Sequence, residues 1–125
     1  MSDAAPVTEE DLRGLVALFY ERVRADKELG PIFNQAITDW PVHLTKIVDF
    51  WSSIMLSTQR YRGNPMAKHL LHRDLIQPEH FDRWLDLWRL TTDELLAPAV
   101  AEELQDRAQR VGKSLKMALF FRPDR

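Results

Sequence analysis

The sequence has no cysteine, which excludes disulfides, thiolate metal sites and cysteine nucleophiles. Glycine is scarce: its four copies fall singly at positions 14, 30, 63 and 112, so no glycine-rich loop precedes a helix to cradle a phosphate. Neither a GxSxG elbow nor an HExxH zinc motif occurs, and no inward-facing pair of carboxylates is evident. An excess of one charge is also missing. Seventeen Lys and Arg against nineteen Asp and Glu give a formal charge of −2, which provides no electrostatic footprint for nucleic acid, and no basic cluster is dense enough to suggest a membrane surface. No apolar run approaches the roughly 20 residues needed to cross a bilayer. The opening MSDAAPVTEEDL lacks a basic start followed by an apolar stretch, so no signal peptide is expected and a cytoplasmic protein is.

What is present is an ordinary globular composition with an aromatic surplus. The chain has 125 residues, 45% of them hydrophobic and 29% charged. That suits one domain, spanning 1–125, with 1–7 and 122–125 expected as flexible tails. Four Trp, six Phe and two Tyr fall mostly on helical stripes. Each can bury about 150–250 Å², either as a bulky core or as the wall around a flat apolar guest.

The pattern reads as all-α. Thr8 and Asp11 form a capping-box-like start, and Leu12, Leu15, Val16, Phe19 and Val23 follow at helical spacing. Gly30-Pro31 is expected to stop this helix, with Ile32-Phe33 in a connection. Thr38-Asp39-Trp40-Pro41 opens a second helix whose stripe is His43, Ile47, Phe50, Trp51 and Ile54. After a loop at 57–65 comes MAKHLLHRDL (66–75), a short, mostly non-helical segment. Gln77-Pro78 starts a third long helix with Phe81, Trp84, Leu85, Trp88 and Leu95 inward, and Ala97-Pro98 separates it from a last helix carrying Leu104, Ala108, Val111, Leu115 and Leu119.

Four residues stand out from the apolar faces. His43 shares a face with Ile47 and Phe50, and is either a hydrogen-bonded core histidine or a polar group lining a pocket. Tyr20 sits on the apolar edge of the first helix, where its hydroxyl needs a partner. His69 and His72 are three apart in the short segment and would share one helical face. They read as solvated residues, as a weak metal chelate without carboxylate or thiolate partners, or as the source of one imidazole for a haem iron. His80, in the first turn of the third long helix, is expected to be exposed.

The blocks Phe19-Tyr20, Gly30-Pro-Ile-Phe33-Asn34, Trp40-Pro-Val-His43 with Ile47 and Phe50-Trp51, Gly63-Asn-Pro-Met-Ala-Lys-His69-Leu and Phe81-Asp-Arg-Trp84-Leu resemble, in order and spacing, the truncated haemoglobins of group III. The resemblance runs from about Thr8 to Met117. It implies a two-over-two helical sandwich enclosing haem b. It makes His69 the proximal iron ligand, with His72 as its rival. Tyr20, His43, Ile47 and Trp84 become the distal ligand pocket, with Trp51 beside Ile47 in its wall and the Tyr20 and Trp84 donors aimed at bound ligand. Phe33, Phe50 and Trp51 become haem contacts. Lys46, Arg60, Arg62 and Lys68 are candidate partners for the haem propionates.

The family further implies reversible binding of O2, NO, CO and cyanide, with NO-dioxygenase or peroxidase-type chemistry as the redox options. Turnover would need a separate reductase, since the chain has no flavin or nicotinamide domain. A monomer with neither nucleic acid nor membrane as partner is expected. The alternative is a cofactor-free helical domain for protein interaction or apolar ligands, which explains the stripes but not His43 or His69.

Overall fold

A computed structural model describes residues 7–120; the expected tails at 1–6 and 122–125 lie outside the described residues, whereas Val7 is buried in the core. Among the described residues there are six α-helices and no strand: α1 (Glu9–Ala25), α2 (Leu29–Ala36), α3 (Trp40–Leu56), α4 (Pro65–Leu71), α5 (Pro78–Leu95) and α6 (Pro98–Phe120), with a 3-10 turn over Arg73–Leu75. No helix among them is long and apolar enough to cross a membrane.

Capping chemistry sets the starts of α1 and α3 where their sequence signals lie. Thr8 Oγ1 accepts from the Asp11 amide while the Asp11 carboxylate accepts from the Thr8 amide. Asp39 caps α3 through the Val42 amide, with Pro41 in the first turn, where its missing N–H costs nothing.

Gly30-Pro31 does not stop the first helix. α1 ends five residues earlier, at Ala25, and Gly30 and Pro31 lie in the first turn of α2, which also contains Ile32 and Phe33. Asp26 is the reason. Its carboxylate accepts from the amides of Glu28 and Leu29, which nucleates a new helix and leaves the proline in a turn that needs no donor. Gly30 is there for space, because a Cβ would stand 2.5 Å from the Arg24 carbonyl oxygen.

Three further expectations are corrected. The His69 segment is helical, with Asn64 as its cap and Pro65 at its first position. Leu95 is exposed at the end of α5. His80 is only partly exposed, because its Nδ1 accepts from the Gln77 amide as the reciprocal half of the α5 cap.

The main core joins Leu12, Leu15, Phe19 and Val23 of α1 to Trp51 of α3, Trp88 of α5 and Leu104 and Ala108 of α6. A smaller cluster of Phe81, Leu115 and Leu119, with Ile76 and Val111 against it, lies under α4. α5 packs closely on α6, α3 principally on α1, and α4 principally on α6. The two helices carrying His43 and His69 therefore rest mainly on different partners, α1 and α6.

Candidate haem and ligand site

On one side, α1, α2 and α3 bring four aromatic rings together. Tyr20 is buried, with its ring centroid 5.9 Å from Phe33, 6.1 Å from Trp40 and 6.2 Å from His43. Trp40 meets His43 edge-on at 5.6 Å, and the Arg24 guanidinium covers the Trp40 ring at 4.5 Å. From α5, the Trp84 indole N–H lies near enough to the Tyr20 phenol oxygen to favour its ionised form. Burial drives the Tyr20 pKa up to about 12, against the pull of that donor. No hydrogen bond among the described residues uses the Tyr20 O–H.

Trp84 also belongs to a column of indoles. It stacks on Trp88 at 5.7 Å and 4°, and Trp88 stacks on Trp51 at 4.7 Å and 19°. The Trp88 N–H donates to the Leu104 carbonyl at 3.1 Å. Trp51 is thus taken up by the core, with Phe50 edge-on to it at 5.4 Å. Ile47 and Phe50 stay half-buried on α3, as do Leu44, Val48, Ile54 and Met55. Only Trp40, Trp51 and Ser52 of this apolar helix are fully covered.

On the other side stands His69. Its Nδ1 lies 2.7 Å from the Pro65 carbonyl oxygen, four residues back. A carbonyl only accepts, so Nδ1 carries the proton and the neutral ring keeps its lone pair on Nε2. Phe81 lies nearly parallel to the imidazole, at 6.4 Å and 27°. Burial holds the His69 pKa below its ordinary value, opposed by the Pro65 bond, with His72 adding to the lowering. His72 is the C-cap of α4, and its amide donates to the His69 carbonyl at 3.0 Å.

The charge of His69 on α4 reaches His43 on α3. The His43 pKa falls to about 4, first through burial and then through the positive charges of Lys46, Lys68 and His69. Lys46 and Lys68 therefore flank this site. Arg60 does not: it is committed to Glu9, to Asp49 at 3.3 Å and to Ser52 Oγ at 3.1 Å, on the far side of α3.

These side chains suit a haem. Among the described residues no three His, Asp or Glu side chains gather as ligands for a bare metal ion. One half-buried imidazole, tautomer-fixed by a backbone carbonyl, fits the donor set of a single haem ligand, and α3 offers a half-covered apolar helix beside it in the chain. Three contributors are not evident from residue patterns: the Pro65 carbonyl, Phe81 behind His69, and Trp40 against His43. The proline four residues before His69 is the one signal that could have pointed to the first of them.

Comparison with known proteins agrees with this geometry. Residues 7–121 match the family model described as bacterial-like globin. The chain is 34% identical over 120 residues to the group 3 truncated hemoglobin ctb of Campylobacter jejuni, covering 91% of this chain and 92% of the relative. The crystal structure of group III truncated hemoglobin from Campylobacter jejuni superposes with a TM-score of 0.84 at 35% identity, over 92% of this chain and 93% of that one. With a family match along nearly its whole length, this chain belongs to the truncated haemoglobins of group III, globins that bind ligands through haem.

Proposed function

We propose that the chain holds one haem b through His69 Nε2 and binds O2 and other small ligands, NO, CO and cyanide, reversibly beneath Tyr20. The observation that carries the ligand choice is the bond from His69 Nδ1 to Pro65, which frees Nε2 and fixes the ring. His72, at the end of α4, has no corresponding bond among the described residues. The lack of cysteine leaves no thioether anchor for a covalently attached haem, which supports the b type.

When bound, the haem supplies a redox-active iron with affinity for diatomic ligands. The protein supplies the rest. Phe33, Ile47 and Phe50 offer apolar contacts that keep water out, and Lys46, Lys68 and Arg62 are the candidate partners for the propionates. Tyr20 offers its O–H toward the ligand, and Trp84 acts by holding the phenol oxygen. The site therefore has one direct donor, with the second behind it.

Redox turnover of NO-dioxygenase or peroxidase type is a second reading. His43, kept neutral at pH 7, is a proton acceptor beside Tyr20, as peroxide reduction requires. Each conversion of NO and O2 to nitrate leaves the protein one electron short, so repeated turnover needs a separate reductase. We place the protein in the cytoplasm as a monomer.

The test is the visible spectrum of the ferric, dithionite-reduced and CO-bound protein, for the parent, His69→Ala and His72→Ala. A Soret band that shifts with CO and is lost only in His69→Ala supports the reading. Loss in His72→Ala alone overturns the ligand choice. No Soret band after haem titration leaves the cofactor-free helical domain. Repeated NO consumption only with added reductase would establish turnover.

A further inference from the structure

α3 is made mostly of apolar residues, yet Ser52 and Ser53 sit side by side near its end, and Ser52 is fully buried. Both hydroxyls donate to the Asp49 carbonyl, at 3.0 and 2.8 Å, and both then accept from the following loop. Ser52 Oγ accepts from Arg60 Nη2 at 3.1 Å and lies 2.8 Å from Thr58 Oγ1. Ser53 Oγ accepts from the Tyr61 amide at 3.0 Å. Arg60 reaches on to Asp49 and to Glu9 at the start of α1.

The loop so held is tightly folded. Ser57 and Gln59 have φ of 58° and 60°, a conformation non-glycine residues keep only when their surroundings fix it. The Tyr61 ring meets Phe50 edge-on at 5.2 Å, and Gly63 lies so close to it that a Cβ would collide with the Tyr61 hydroxyl. Asn64 then caps α4 through the Ala67 amide at 3.1 Å, and Pro65 follows with the carbonyl that holds His69. Only three residues separate Tyr61, pinned to α3, from Pro65. There is little slack between the distal helix and the proximal histidine.

We propose that Ser53 and Arg60 are positioning residues for His69: by bonding the loop to the back of α3, they set where Pro65, and so the imidazole, stands relative to the distal face. The inference rests on His69 being the haem ligand. It gives a role to two adjacent serines and an arginine that ligand binding itself does not use.

The experiment uses the full-length haem-loaded protein and the variants Ser53→Ala, Arg60→Gln, Arg60→Lys and His69→Ala. Arg22→Gln, which removes an ion pair to Glu94 between α1 and α5, is the control for general loss of stability. Three quantities are read: the iron–histidine stretching band of the ferrous form by resonance Raman, the rate of haem loss to excess apomyoglobin, and amide hydrogen exchange across residues 66–71.

Ser53→Ala and Arg60→Gln are expected to shift or broaden the band and to raise haem loss and exchange by about fivefold or more, the effect of one lost hydrogen bond. Arg60→Lys should recover part of each change. Arg22→Gln should lower the thermal midpoint and leave all three where they were. If both loop variants lose thermal stability while band and exchange stay as in the parent, the proposal is overturned. Should Arg60→Gln fail to fold, Ser53→Ala, which gives up the Tyr61 amide bond to the loop and a local bond to the Asp49 carbonyl, decides the matter alone. If His69→Ala keeps the band, the ligand assignment falls and this proposal with it. If His69→Ala loses the band and the loop variants leave it unmoved, only this proposal falls.

Discussion

Asp26 receives both Nε and Nη2 of Arg83 on one carboxylate oxygen, at 2.9 and 2.6 Å, and gives its other oxygen to the amides of Glu28 and Leu29. One nearly buried side chain thereby joins the end of α1, the start of α2 and the flank of α5. These three helices carry Tyr20, Phe33 and Trp84.

The Arg83 hydrogen bonds come first in holding the Asp26 carboxyl below its ordinary range, and the two amides add to them. Because the folded-state pKa is depressed, the stability it brings is full above the unfolded value of about 4 and is lost as pH falls through the folded value. Asp26→Asn should keep an acceptor for the α2 amides and lose the charge, whereas Asp26→Ala loses both, with the cap alone costing about 0.5–2 kcal/mol. Urea unfolding at pH 7 should rank the parent above Asn and Asn above Ala. At pH 3 the gap between parent and Asn should narrow. Equal stability of the two variants at pH 7 would refute the capping role.

In the proposed function, Tyr20 is the direct donor, with Trp84 acting through it. In the haem-loaded protein, Tyr20→Phe should speed O2 release by about fivefold or more, the equivalent of about 1 kcal/mol. Trp84→Phe should have a smaller effect, and the double variant should be no faster than Tyr20→Phe. Stopped-flow dissociation measures all three. With its pKa near 12, the phenol stays protonated, so this donor should give the release rate no pH dependence between pH 6 and 10. Its raised pKa also means that the stability it contributes is full below about pH 10 and is lost as pH rises toward 12.

His43 titrates in the opposite sense. Burial and the charges of Lys46, Lys68 and His69 lower its pKa to about 4, so between pH 6.5 and 4 the unfolded chain binds a proton that the folded chain refuses. Stability should therefore decline across that window as acid is added. His43→Gln should flatten this limb in guanidinium melts taken from pH 7 to pH 4. An unchanged acid limb in the variant would place its cause elsewhere.

Two glycines should respond oppositely to alanine. Gly14 lies exposed in the middle of α1, and nothing stands within 4 Å of the point a Cβ would occupy, so Gly14→Ala should add about 1 kcal/mol of stability. Gly30→Ala would press a methyl against the Arg24 carbonyl, at a cost of roughly 1–3 kcal/mol. Calorimetric melting points of the two variants should fall on either side of the parent.

Helix starts are legible where a side chain announces them, as Thr8 with Asp11 and Asp39 with Pro41 do. Gly30-Pro31 misleads because a proline reads alike at the end of one helix and in the first turn of the next; only Asp26, four residues earlier, decides. α4 has two turns, too few for periodicity to distinguish it from a loop. Leu95 matches the spacing of its helix, but the helix ends with it and leaves it exposed there. Family resemblance nominates residues for the site, while their couplings are visible only in the structure. Arg60 looks free for a propionate because its partner Glu9 is 51 residues away in the chain. His69 and His72 are indistinguishable by spacing, and only in the structure does the His69 ring meet the Pro65 carbonyl.

α3 leans principally on α1, and most of its apolar residues are only half covered by protein. A haem held by His69 against α3, as proposed, would complete the core as well as the chemistry. Each tenfold in guest affinity adds about 1.4 kcal/mol to the loaded chain once the guest is in excess. A cell short of iron or porphyrin then makes a polypeptide that opens more often and meets proteases sooner, so the amount of this globin tracks cofactor supply even at constant synthesis.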